Sequence, residues 1–119
     1  MNIGIIKNRD VQGVGTLARC MAQNFLEGER VLALDLETTG ISTNNDRIVQ
    51  IALIGSSEDG SEISYENLVN PRRSIPMQAS NVHGIYDGDV RNLGDFSTFA
   101  EEIYEQIEGA VIIGHNVRQ

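Results

Sequence analysis

"VLALDLETTG", residues 31–40, decides how the chain is read. The stretch is apolar through Leu34, carries two carboxylates, Asp35 and Glu37, one residue apart, and turns at once through Thr38, Thr39 and Gly40. Such a run predicts a strand that ends at the turn. Successive strand side chains alternate between faces, so Leu32, Leu34 and Leu36 share one side and Ala33, Asp35 and Glu37 the other. The two acids therefore point the same way at the carboxyl end of a strand.

Upstream, from Val14 to about Leu26, apolar Leu17, Ala18, Met21, Ala22, Phe25 and Leu26 recur at helical spacing, with Gly28 as a stop signal. Downstream, 47–55 ("RIVQIALIG") and 61–69 ("SEISYENLV") read as two more strands, set off by "TTGISTNND" and "SSEDG", which are dense in turn formers. Together with 31–37 they predict an antiparallel meander. Residues 70–94 hold Pro71, Pro76, Gly84, Gly88 and Gly94, and read as loop with short helical turns. Asp95 can cap a second helix, on which Phe96, Phe99, Ala100, Ile103 and Ile107 form one stripe before Gly109. A last strand, "AVIIG", delivers His115 and Asn116 to its end. Because a helix precedes it, that strand can pair parallel to the first. The result is a mixed α/β sheet, in which chemistry gathers at the carboxyl ends of the strands.

At 119 residues the chain fits one domain. No apolar run reaches the roughly 18 residues of a membrane span, so no membrane is expected, and "MNIGIIKNRD" does not read as a secretory signal. The single cysteine, Cys20, fits a reducing cytoplasm. A net charge of −8 argues against nucleic-acid binding by massed Lys and Arg. It is compatible with an acidic cleft in which bound metal meets the phosphate. The late acids Asp87, Asp89, Asp95, Glu101, Glu102, Glu105 and Glu108 read as a solvated helix face.

Two carboxylates without a neighbouring Cys or His make a hard-oxygen site suited to Mg²⁺ or Mn²⁺. A pair of such ions roughly 3.5–4 Å apart activates water and stabilises the charge of a reacting phosphate, which points to phosphodiester hydrolysis. Thr38, Thr39 and Gly40 are small enough for a sugar or base to approach, and the hydroxyls can donate to it. A rival reading comes from "GVGTLA", residues 13–18, where Gly13, Gly15 and Ala18 satisfy a dinucleotide-binding fingerprint and Asp35 follows about 20 residues on. That site needs the glycines to abut a strand, whereas "KNRDVQ" separates them from "NIGII".

"LDLETTGIS" followed by "DRIVQIALI" resembles the first exonuclease motif of the DnaQ-like (DEDD) superfamily, the 3′→5′ exonucleases that include the proofreading subunit of bacterial DNA polymerase III. "NPRRSIPMQASNVHGI", residues 70–85, is similar to the family's middle segment, and "VIIGHNV", residues 111–117, to the opening of its second motif. The resemblance spans about residues 31–117 and leaves 1–30 as an N-terminal extension with an amphipathic helix. It implies a ribonuclease H-like fold and release of nucleoside monophosphates from the 3′ ends of single-stranded DNA or RNA. Two Mg²⁺ or Mn²⁺ ions would serve the complete site, and DNA polymerase subunits are implied partners. It implies that Asp35 and Glu37 are the catalytic metal ligands. Thr38 and Thr39 would contact substrate, Val82 and His83 would pack near the terminal sugar and base, and His115 and Asn116 would shape the cleft floor.

The family's four acids and its histidine general base are only half represented, since the Asp of the second motif and the whole third motif are not in the sequence. The expectation is therefore a domain incomplete at its C-terminus and inactive by itself. One face of the sheet should be left partly uncovered, favouring self-association. A non-catalytic module that binds a nucleotide or a protein on the same fold is the other reading of these departures.

Overall fold

The computed structural model describes residues 11–42 and 44–114. Along the chain run α1 (Val11–Asn24), β1 (Val31–Thr38), β2 (Ile48–Ser56), β3 (Glu62–Leu68), α2 (Met77–His83), α3 (Asp87–Val90), α4 (Phe96–Ile107) and β4 (Val111–Gly114). The four strands form one sheet in the order β3-β2-β1-β4. β1–β2 and β2–β3 pair antiparallel, and β1–β4 pairs parallel. This is the meander plus parallel strand expected from the sequence.

The register assigns the faces. Val31 lies opposite Ser56, Ala33 opposite Ile54, Asp35 opposite Ala52 and Glu37 opposite Gln50, all on one side; Val111 and Ile113 join that side from β4. Leu32, Leu34 and Leu36 take the other side with Gly55, Leu53 and Ile51.

On the acid-bearing face α1 covers the sheet's lower half. Ala18 and Ala22 form one buried cluster with Val31, Ala33 and Ile113, and Met21, Leu26 and Val111 pack around it. Small residues let the helix lie close. A Cβ at Gly15 would stand 2.2 Å from Ile54 Cγ2, so glycine is what permits this approach. The rival fingerprint is thereby accounted for: Gly13, Gly15 and Ala18 lie inside α1, not at a strand-to-helix turn, and the latter two serve helix-on-sheet packing.

Of the apolar stripe predicted to reach Leu26, two members face outward, Leu17 at 40% and Phe25 at 79% exposure. The helix ends at Asn24, whose side-chain amide donates to the Cys20 carbonyl at 2.8 Å. Beyond that point Phe25 swings outward while Leu26 folds back.

The opposite face carries Leu32 and Leu53, both fully buried. α4 is tied to the sheet by the Tyr65 hydroxyl, which donates to Glu102 at 3.0 Å, and by Arg30, which donates to Gln106 at 3.2 Å. Asp95 caps α4 by accepting from the Thr98 N–H, as its position in the sequence predicts. Of the late acids, Glu101, Glu102, Glu105 and Glu108 are indeed exposed. Asp87 and Asp89 do more, since Asp87 accepts from the Ile75 N–H and Asp89 from the Tyr86 N–H. Val49, Ile75, Ile85 and Val90 form a second cluster that fastens residues 70–94 to β2.

Candidate active site

Asp35 and Glu37 stand two residues apart on the same face of β1. Both are buried, at 3% and 8% exposure. Across from Asp35 stands Ala52, whose side chain is a single methyl group. Among the described residues the pairing of β4 with β1 runs as far as Leu34 and Gly114.

After Glu37 the register slips and the chain turns. Thr39 donates its hydroxyl hydrogen to Asp46 Oδ1 at 2.8 Å and accepts the Arg47 N–H at 3.0 Å, while its own N–H donates to the Arg47 carbonyl at 2.8 Å. Asp46 also accepts the Ser42 N–H at 2.9 Å and pairs with Arg73 at 3.7 Å. The Thr39 hydroxyl first, then the Ser42 N–H, and Arg73 to a lesser degree hold the Asp46 carboxyl below its ordinary value. Thr39 is 2% exposed, and its hydroxyl is committed to this loop. Thr39 braces the turn. Thr38 is half-buried, with its hydroxyl bonded to the Gly40 carbonyl.

The "VHGI" segment folds against that turn. Gly84, at φ 75°, ends α2 in the left-handed conformation and donates its N–H to Ser80 O at 2.7 Å. The chain then doubles back so that Ile85 N–H donates to His83 Nδ1 at 3.1 Å. With Nδ1 accepting, a neutral imidazole carries its hydrogen on Nε2, which faces the Thr38 carbonyl at 3.1 Å. His83 thus joins the end of α2 to the end of the acid-bearing strand, and Val82 beside it is exposed. His115 and Asn116 lie outside the described residues.

The acids fit a hard divalent cation by donor type and by their shared face. Among the described residues no group of three or more His, Cys, Asp and Glu gathers to hold one. One polar neighbour escaped the sequence reading. Gln50, directly opposite Glu37, is 8% exposed, and its Oε1 has no hydrogen-bond partner among the described residues. The available signal was a lone polar residue in the apolar run "IVQIALI".

No helix among the described residues is long and apolar enough to cross a membrane. A model of the exonuclease family matches residues 32–119. The chain is 32% identical over 90 residues to the 3′-5′ exonuclease DinG of Bacillus subtilis (strain 168), an alignment covering 75% of this chain and 10% of that protein. It is 31% identical over 84 residues to the DNA polymerase III subunit epsilon of Treponema pallidum (strain Nichols), covering 71% of this chain and 39% of that one. Among solved structures it resembles Exonuclease X in complex with 5′ overhanging duplex DNA, with TM-score 0.58 and 27% identity, covering 73% of this chain and 49% of that one. The chain thus spans less than half the length of each of these proteins.

Proposed function

The chain belongs to the exonuclease family, of the DnaQ-like kind with a ribonuclease H-like sheet, and from that premise we propose that it carries part of a site releasing nucleoside monophosphates from nucleic-acid 3′ ends. The observation that carries this reading is the burial of Asp35 and Glu37 on one face at the end of β1, with Thr38 and His83 at their lip. Asp35 and Glu37 hold Mg²⁺ or Mn²⁺ in this proposal. When bound, such ions activate water and stabilise the charge of the reacting phosphate. The residues on the chain bind and orient. Thr38 and Val82 flank the 3′-terminal nucleotide, His83 fixes the Thr38 backbone through its Nε2 hydrogen, and the Thr39–Asp46 brace keeps the turn in shape. His115 and Asn116 are proposed to line the cleft floor.

Asp35 and Glu37 support cation binding by donor type and by their shared face. We assign the chain capture of a cation and a mononucleotide, with hydrolysis requiring further acids. Single-stranded DNA or RNA is the proposed substrate class, a cytoplasmic setting follows from it, and association with polymerase subunits is proposed from the epsilon relative. Residues 1–30 are proposed as an extension to an exonuclease domain over 31–119.

Calorimetric titration of Mn²⁺, with and without a nucleoside monophosphate, tests this. Binding that strengthens with the monophosphate and disappears in Asp35→Asn supports the reading. Binding indifferent to Asp35→Asn removes Asp35 from the site, and metal-free binding of NAD⁺ would restore the dinucleotide reading. In a longer polypeptide that completes the ligand set, metal-dependent 3′→5′ hydrolysis is expected, and Asp35→Asn abolishes it.

A further inference from the structure

We propose that Gln50 is a positioning residue for the cation held by Asp35 and Glu37, an inference that rests on the exonuclease reading above. Three observations meet at this side chain. Gln50 is the one polar residue between Ile48 and Ile54 on the central strand β2, a run otherwise of Val, Ile, Ala and Leu. It is paired with Glu37 across the antiparallel ladder, so both side chains leave the sheet on the acid-bearing face. It is also more than nine-tenths buried while its Oε1 has no hydrogen-bond partner among the described residues.

A buried carbonyl that nothing satisfies opposes folding, and an apolar side chain of similar size would serve a central strand better. Such groups call for an explanation in function or in a bound water or ion. Here the neighbours supply one. Hard divalent cations keep several waters when held by only a few carboxylates, and the hydrogens of those waters need acceptors. Ligating carboxylates are likewise steadied by a ring of hydrogen bonds around them. A neutral amide suits this place, because its oxygen accepts from a cation-bound water while its NH₂ donates to a carboxylate, and it adds no charge beside two acids. Gln50 therefore acts through the cation's hydration shell and through Glu37, not on substrate.

The experiment measures Mn²⁺ affinity by calorimetry and metal-free thermal unfolding, on the 119-residue chain and its Gln50→Leu, Gln50→Glu and Asp35→Asn variants. Gln50→Leu is expected to weaken Mn²⁺ binding about tenfold while leaving the metal-free unfolding temperature unchanged or higher. Gln50→Glu, which keeps the acceptor, retains the affinity or raises it. Should the leucine variant fail to fold, Gln50→Met, unbranched and of similar length, replaces it. A leucine or methionine variant that binds Mn²⁺ like the wild type, or that loses only thermal stability, overturns the proposal and makes Gln50 structural. Asp35→Asn separates this failure from that of the parent reading. If it abolishes binding while Gln50→Leu does not, only Gln50 is wrongly assigned; if it changes nothing, the cation is not at this site and both inferences fall.

Discussion

His83 and Thr38 are coupled across 45 residues of sequence: the imidazole Nε2 lies 3.1 Å from the Thr38 carbonyl, while Nδ1 accepts the Ile85 N–H. The bond fastens the end of α2 to the end of the acid-bearing strand. Its geometry depends on Gly84, whose left-handed backbone returns Ile85 to the ring of the preceding histidine.

His83→Ala removes an acceptor from the N–H of buried Ile85 and a donor from Thr38. The expected cost is about 1–2 kcal/mol of folding stability, read as a lower urea midpoint at unchanged m-value. Monophosphate binding should weaken in the same variant, because Thr38 loses its anchor. An unaltered urea midpoint would show that the two contacts carry no net stability.

Thr39→Val keeps the shape of the side chain and deletes the hydroxyl. It leaves the Arg47 N–H and the Asp46 carboxylate without a central partner. A loss of about 1–3 kcal/mol is expected by chemical denaturation. Since the Thr39 hydroxyl is the largest cause of the low Asp46 pKa, the same variant should move that pKa back up toward the ordinary aspartate range, as followed by carboxyl-carbon NMR. A pKa that stays put would contradict the brace.

Asp46 makes the turn acid-sensitive. Its pKa is lower folded than unfolded, so the stabilisation is present above the ordinary aspartate value of about 3.9 and is lost as pH falls through the folded value. The amides of Ser42 and Arg47 should therefore exchange faster with solvent in acid than the β1–β2 ladder does. Asp46→Asn, which can still accept but does not titrate, should abolish that difference. Equal acid sensitivity in the variant would trace the effect to another group.

Gly15→Ala sets two effects against each other. Relief of glycine's helix penalty favours the variant by about 1 kcal/mol, but the new Cβ would meet Ile54 Cγ2 at 2.2 Å and Ile54 Cβ at 3.0 Å. Ile54 is β-branched and held in the sheet, so over-packing of about 1–3 kcal/mol prevails. Net destabilisation is expected, and adding Ile54→Ala should recover part of it in a double-mutant cycle. Strict additivity of the two changes would place the contact elsewhere.

Alternation alone made β1 legible, because Asp35 and Glu37 fall on the parity of Ala33, and the structure keeps them there. Gly28 and Asp95 punctuate the chain as their chemistry predicts, and β4 runs parallel to β1 as the intervening helix requires. The misreadings share a cause in tertiary geometry. Periodicity counted Phe25 with the helix stripe, but the stripe stops where Asn24 bonds back to Cys20. Nothing in the sequence links Thr39 to Asp46, seven residues on, whose carboxylate accepts its hydroxyl. Gln50 went unnoticed because its significance is a register, Glu37 against Gln50, and register is a property of two strands together.

The cluster that unites Ala18, Ala22, Val31 and Ala33 with Ile113 also bears on how the molecule is assembled in time. Hairpins β1–β2 and β2–β3 close over short loops and can zip early, whereas this cluster waits on a contact of large sequence separation, whose closure entropy is paid late. On a ribosome the acids would be positioned along their ladder before the floor beneath them was shut. Until Ile113 emerged, the alanine face of α1 would lack part of the surface it settles on, leaving apolar area open to a chaperone.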